Sequence, residues 1–356
     1  QRQGTTYVPM ADQHSSVATA TTIVQHVSEE LPSRYVLPEQ HRHGGIPAGE
    51  AMPEPLPVVD ISRLPTTDEA SKLRAALESW GLFLATNHGI EASLLDALMD
   101  GAREFFRQPL ETRQEFSNLV DGTPRHKGYT DHPVLSQDQT IDWFDRVHLA
   151  IDPEDERDLS SWPRFFRDAM LEYAGESKKI TDQVLRAIAT LLELEEDHFI
   201  SKFTDRAITF AAVNYYPPCP APDHVFGFRP HSDGRLITVL LADNDIGGLQ
   251  VRKDGRWYNV PTKPGSLLVF VGDSLEIMSN GAFKAAVHRV VTNPVKERIS
   301  LAMFFGVDGD TVLEPASALL DETRPSRYRK MRTKEYIQGI LELYSRYERM
   351  IETMKI

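Results

Sequence analysis

A chain of 356 residues, 41% hydrophobic and 26% charged, has ordinary soluble-protein proportions and material for a substantial core. Its formal net charge of -13 argues against nucleic acid or an anionic membrane as the main partner, because a polyanion needs a basic surface. The one cysteine, Cys219, excludes an intrachain disulfide and a cysteine-built zinc site, and a reducing, cytoplasmic setting is the expectation.

Residues 1–54 are rich in Ser, Thr, Pro, Gly and Gln and read as a tail with at most one short helix near Ile23 to Val27. Met10, followed by "ADQ", reads as a natural start, with residues 1–9 as an appended stretch. There is no secretory-signal pattern here, and no apolar run approaches the roughly 20 residues of a membrane span. Residues 55–200 read as a mostly helical module. It opens with a strand in "PLPVVDISRL" and a helix in "TTDEASKLRAALESWG", with acids in its first turn and Gly81 after its end. "LFLATNH" reads as a buried strand. Helices follow in "EASLLDALMDGAREFFRQP" and from Pro163 to about Leu192, each with one apolar stripe.

Residues 201–312 change texture. "AITFAAVNYY", "LITVLLAD", "GLQVRK", "WYNVPT", "GSLLVFVGD", "LEIMSN", "AAVHRVVT" and "RISLAMFFGV" are short apolar or β-branched runs, with "KDGR" and "SNGA" as hairpin turns. Such spacing predicts a sandwich or jelly roll. Residues 313–356 form a C-terminal helical segment, with one amphipathic helix in "KEYIQGILELYSRYERMIETM".

Residues two apart on a strand share a side. In "GFRPHSDGRLITVLL", His231 and Asp233 can therefore face inward while Ser232 faces away. A polar turn gives the same tripeptide by accident, so a further ligand is required. "AAVHRVV" offers His288, which alone reads equally well as a satisfied core histidine. Arg298 and Ser300 share a face in "RISLAMFF", either on a surface edge or as a fork and hydroxyl for a carboxylate. Asn214 and Tyr216 form a third such pair, or a loop anchor. Two imidazoles and a carboxylate are the facial ligand set that holds non-haem Fe(II) with open positions.

The ordered fragments "NYYPPCP", "PHSD", "GGLQV", "PGSLLVFVGD", "AAVHRV" and "ERISLAMFF", after "PVVDISRL" and "WGLFLATNHGI", resemble the plant-type 2-oxoglutarate and Fe(II)-dependent dioxygenases over residues 55 to 310. The resemblance implies a mainly β fold with flanking α-helices: a distorted double-stranded β-helix, or jelly roll, with supporting helices. It places Fe(II) on His231, Asp233 and His288, and 2-oxoglutarate on Arg298 and Ser300 with Tyr216 and Asn214. Phe304 and Arg146 fall at substrate-side positions; Arg146 stands where relatives often carry an aromatic residue, which hints at a polar or anionic substrate group. The implied reaction consumes O₂, converts 2-oxoglutarate to succinate and CO₂, and hydroxylates, desaturates or dealkylates a small metabolite or xenobiotic. No separate protein acid or base is implied, and ascorbate is expected to stimulate. The phrasing is similar to the specialised-metabolism and xenobiotic branch, loosely to rice oxygenases of triketone herbicides, and a monomer is expected. A hormone-oxidising relative, an oxidase that dispenses with 2-oxoglutarate, a metal-holding non-catalytic binder and a hydrolytic zinc enzyme are the alternatives.

Overall fold

Helix α1 (Thr67–Ser79) lies between strands β1 (Val58–Asp60) and β2 (Leu82–Thr86); α2 (Ala92–Phe106) and α3 (Leu110–Gln114) follow. Asp68 and Glu69 occupy the first turn of α1, where the helix dipole favours acids. Gly81 follows its end at φ +70°, and a Cβ there would meet the Lys284 carbonyl at 2.2 Å. The chain continues through β3 (Leu119–Val120), β4 (Thr123–Pro124), β5 (Gly128–Thr130), β6 (Asp145–Asp152) and α4 (Arg167–Leu191). Strands β7 (Ile208–Tyr216), β8 (Phe226–His231), β9 (Ile237–Ala242), β10 (Leu249–Lys253), β11 (Arg256–Asn259) and β12 (Leu267–Val271) come next. Helix α5 (Asp273–Met278), strands β13 (His288–Val291), β14 (Arg298–Gly306), β15 (Val312–Leu313) and β16 (Met331–Arg332), and helices α6 (Thr333–Tyr344) and α7 (Met350–Met354) complete it. This computed structural model describes residues 31–37 and 48–356 apart from 65, 118, 121–122, 125–127, 131–139, 244–245 and 345. The expected start at Met10 and helix at Ile23 to Val27 lie outside the described residues.

Two sheets face each other. The larger has the order β1-β2-β12-β9-β14-β7-β6-β5 and the smaller β11-β10-β13-β8. The β1–β2 pair is parallel, and the other pairs within these sheets are antiparallel. This is the expected jelly roll with helices outside.

Strand alternation divides the large sheet into two faces. Outward, Val147 and Leu149 of β6, Ala211 and Val213 of β7, Val239 of β9, Val269 of β12 and Ile299, Leu301 and Met303 of β14 join one core with the helices. Leu73 of α1, Leu98 and Phe105 of α2 and Val184 and Ile188 of α4 are wholly buried there. Each such side chain contributes about 1.5–3 kcal/mol, so the helices are held chiefly by this layer. Inward, Leu240, Leu268, Phe270 and Ala302 meet Leu249, Val251 and Val290 of the small sheet in a second core. One end of that inner space carries polar groups instead.

The "KDGR" hairpin is present, with Asp254 and Gly255 at φ +50° and +78° between β10 and β11. Three sequence expectations differ. "LEIMSN" is largely the end of α5, whose six residues are all buried, so no amphipathic period marks it as helix. "SNGA" closes that helix: Asn280 and Gly281 are left-handed, and Gly281 N–H donates to the Glu276 carbonyl at 2.8 Å. The C-terminal helix is broken between α6 and α7. Arg229 Nη1 donates to the Tyr344 carbonyl at 3.3 Å, a position where continued helix would supply a backbone donor, and Tyr347 then turns through φ +60°.

Candidate metal centre and active site

His231 ends β8, His288 begins β13, and the two stand directly opposite in the register. Their rings are 4.2 Å apart between centroids. Asp233 follows β8 and is fixed through its backbone: α5 begins with Asp273 N–H donating to the Asp233 carbonyl at 2.7 Å, and Ser274 Oγ donates to the Gly234 carbonyl at 2.6 Å. Asp233 Oδ1 lies 3.7 Å from His231 Nε2 and 3.8 Å from His288 Nε2. One ligand atom from each residue falls within 4.8 Å of the others, a spacing that a single ion can bridge. Ser232 faces away, where its hydroxyl accepts from Arg349 Nε at 3.1 Å.

The backbone also fixes the imidazole tautomers. His231 Nδ1 lies 2.8 Å from the Arg229 carbonyl, and His288 Nδ1 lies 3.0 Å from the Ala286 carbonyl. A carbonyl only accepts, so each Nδ1 bears the hydrogen and each Nε2 lone pair faces Asp233. Burial, reinforced by neighbouring His288, holds His231 well below the usual histidine range, so it is neutral at pH 7. Two neutral nitrogen donors and a carboxylate form a set suited to a divalent non-haem metal.

The cosubstrate-side residues meet as cross-strand partners. Arg298 of β14 stands opposite Tyr216 of β7, and Ser300 opposite Asn214. Arg298 Nη1 donates to Ser300 Oγ at 3.2 Å, and Arg298 lies over the Tyr216 ring at 5.1 Å. Its Nε is buried without a hydrogen-bond partner, and burial lowers its pKa from the ordinary arginine value. A desolvated cation with an unsatisfied N–H is what a carboxylate would complete. The donor set and this clamp both fit Fe(II) with a chelating keto-diacid.

Next along the inner face, Arg146 of β6 pairs with Asn214 and donates from Nε to its Oδ1 at 2.5 Å. Its guanidinium stands 4.5 Å from the Phe144 ring centroid and 4.7 Å from that of Phe228. No acid among the described residues stands in ion-pair range of Arg146. Phe304 stacks on Phe210 at 4.5 Å and 16°, and His148 stacks on Phe210 at 5.8 Å and 12°. The inward residues Arg146, His148, Phe210, Phe228, His231, Arg235 and Phe304 keep partial exposure, while outward neighbours such as Val147, Ala211 and Met303 have none. These partly exposed inward side chains make up a strip between the sheets that includes His231.

The sequence reading does not include β6 and with it His148; Phe144 just before β6, Phe210 of β7, Phe228 of β8 and Arg235 are not singled out there either. The signal for β6 was present, since "DRVHLAID" places Val147, Leu149 and Ile151 at period two.

The family model described as the 2OG-Fe(II) oxygenase superfamily matches residues 209–307, and that of the non-haem dioxygenase in morphine synthesis N-terminal matches 56–165. The chain is 32% identical to 2-oxoglutarate-dependent dioxygenase 11 of Oryza sativa subsp. japonica, covering 96% of each chain. It is 30% identical to codeine O-demethylase of Papaver somniferum over 91% of each. The crystal structure of JOX2 in complex with 2OG, Fe and JA superposes with a TM-score of 0.85 at 30% identity, covering 96% of this chain and 98% of that one. The chain belongs to the 2-oxoglutarate- and Fe(II)-dependent oxygenase family of the plant type. It is an enzyme that uses Fe(II), 2-oxoglutarate and O₂ to oxidise a small organic molecule.

Proposed function

We propose that His231, Asp233 and His288 hold the Fe(II), that Arg298 and Ser300 with Tyr216 and Asn214 hold 2-oxoglutarate, and that the organic substrate lies against Phe304 with Arg146 beside it. The observation that carries this reading is the convergence of the two imidazole Nε2 atoms and one carboxylate within 4.8 Å. The bound metal with its cosubstrate and O₂ supplies oxidation of a C–H bond, while 2-oxoglutarate leaves as succinate and CO₂. The protein's share is positional. Carbonyls of Arg229 and Ala286 orient the imidazoles, and the Asp273 N–H pins the Asp233 backbone. Arg298 and Ser300 would hold one carboxylate of the diacid. Phe304, Phe210 and His148 offer flat apolar surface to the substrate body.

The substrate in this reading is a specialised metabolite or xenobiotic, handled by a monomeric cytoplasmic enzyme. The buried free thiol of Cys219 supports the reducing compartment. Exposed large hydrophobics among the described residues are scattered singly along the chain (Leu159, Val295, Val312, Leu341, Ile356), which supports the monomer. A screen for succinate release against phenolics, hormones and herbicides tests the reading. Release coupled to one organic product bears it out; an enzyme that binds Fe(II) and 2-oxoglutarate yet couples to no compound argues for a binder. Anaerobic addition of 2-oxoglutarate to the Fe(II) protein should also give the visible band of the chelate.

A further inference from the structure

The inner strip carries a cation that the assignments above do not use. Arg235 lies two residues beyond Asp233, at the start of the run into β9. Its side chain crosses the inner face of Gly306: a Cβ built there would meet Arg235 Cδ at 2.6 Å and Nη1 at 3.3 Å. Gly306 is two residues past Phe304 on the same side of β14, and the Arg235 guanidinium lies 5.6 Å from the Phe210 ring centroid. Nη1 is buried with no hydrogen-bond partner, and no acid among the described residues stands within ion-pair range. It is a permanent cation beside an aromatic stack, with Nη1 shut off from solvent.

Such a group is costly to keep without a counter-anion. 2-Oxoglutarate is not that anion, because Arg298 lies six residues from Phe304 along β14, about 20 Å of extended strand, which is beyond the reach of a five-carbon diacid clamped at Arg298. The surroundings of Arg235 are the rings of Phe210 and Phe304, with His148 stacked beyond. Gly306 is what admits the guanidinium, since any side chain there would occupy its place.

We propose that the organic substrate is a flat aromatic or conjugated acid, whose body lies on the Phe304–Phe210 stack and whose negative group is held by Arg235. The proposal rests on the active-site reading above and names its substrate class. Arg146, nearer the metal, presents its remaining N–H groups to an oxygen acceptor on the same molecule. The stack takes any flat ring, so discrimination falls to the cation: an acid is accepted and its neutral amide is not.

The test uses the full chain loaded with Mn(II) and 2-oxoglutarate, which binds without turnover. Cinnamate and 2-naphthoate are titrated against cinnamamide and 2-naphthamide by calorimetry, with thermal shift alongside. In the unchanged protein each acid should bind about tenfold or more tightly than its amide. Arg235→Met should abolish that preference, leave amide binding within about twofold and melt no lower than the parent, since it removes an unpaired buried charge. Arg235→Lys should keep part of the preference. Equal binding of acid and amide by the unchanged protein, binding of neither, or a preference that survives Arg235→Met overturns the proposal. If Arg235→Met unfolds, the acid-to-amide ratio of the unchanged protein decides. The Fe(II)–2-oxoglutarate band separates the two failures: present without acid preference, only this inference falls; absent, the active-site reading itself fails.

Discussion

Replacement of Arg298 by methionine isolates the cosubstrate clamp. Methionine keeps the unbranched stem that packs beside Tyr216 and Gly248, so the change removes chiefly the guanidinium. In the free protein that guanidinium donates from Nη1 to Ser300 Oγ, has Tyr216 beside it, and keeps an unsatisfied buried Nε. With the diacid bound it gains two charge-assisted bonds in a water-poor site, each worth about 1.5–3 kcal/mol. Allowing for the desolvation of the diacid, a net loss of about 3–4 kcal/mol corresponds to a two- to three-decade rise in the Kd for 2-oxoglutarate. Stability should move the other way or not at all, because an unpaired buried charge is removed. Anaerobic titration of the Fe(II) protein with 2-oxoglutarate, read by the visible chelate band, measures the Kd, and urea unfolding measures stability. A Kd that rises less than about fivefold in a stably folded Arg298→Met protein would refute the reasoning and put the diacid elsewhere.

Three further outcomes follow from the same geometry. His231→Ala and Asp233→Ala should each abolish succinate release, because either leaves two ligands; full turnover at saturating Fe(II) would contradict the assignment. Phe304→Ala should leave the Kd for 2-oxoglutarate within about twofold while raising substrate KM at least tenfold, since it removes the ring stacked on Phe210 but touches no member of the clamp. A parallel rise in both constants would count against separate subsites. Asp142→Ala strands Arg229, which is 1% exposed and otherwise bonded from Nε to Asp142 at 3.0 Å. It also removes the acceptor of Tyr344 Oη, so urea unfolding should show a loss of about 3–5 kcal/mol, with protease sensitivity appearing first after α6.

Which side chains of the candidate site share a face was legible in the sequence, while several element boundaries around it were not, for a physical reason. Two of the three proposed ligands and the proposed clamp come as i and i+2 pairs, whereas His288 stands alone, and a pair states which side chains share a face without any knowledge of partner strands. His231 with Asp233, Asn214 with Tyr216 and Arg298 with Ser300 could be read this way, and the β7–β14 register then joins the last two pairs residue against residue. Element boundaries lack such a marker where both faces are buried. In β12, Leu267, Val269 and Val271 pack under the helices while Leu268 and Phe270 fill the inner core, so alternation of face leaves no alternation of polarity. The same double burial hid α5 among the strands.

Arg235 was overlooked because nothing local distinguishes a charged residue after a glycine from an ordinary turn. Its meaning depends on Gly306, some seventy positions later, whose missing side chain leaves room for the guanidinium. Arg146 raised the same difficulty, since a surface salt bridge and a pocket cation are identical in one dimension. What separates them is the partner. Arg229 and Arg113 are buried against Asp142 and Asp145 and hold segments together. Arg298, Arg146 and Arg235 face the inner strip with no acid in ion-pair range among the described residues. Among the described residues of one barrel, then, the inward cations divide by whether the chain itself supplies the counter-charge, and that division is the ground on which 2-oxoglutarate is proposed at Arg298 and an acidic substrate at Arg235.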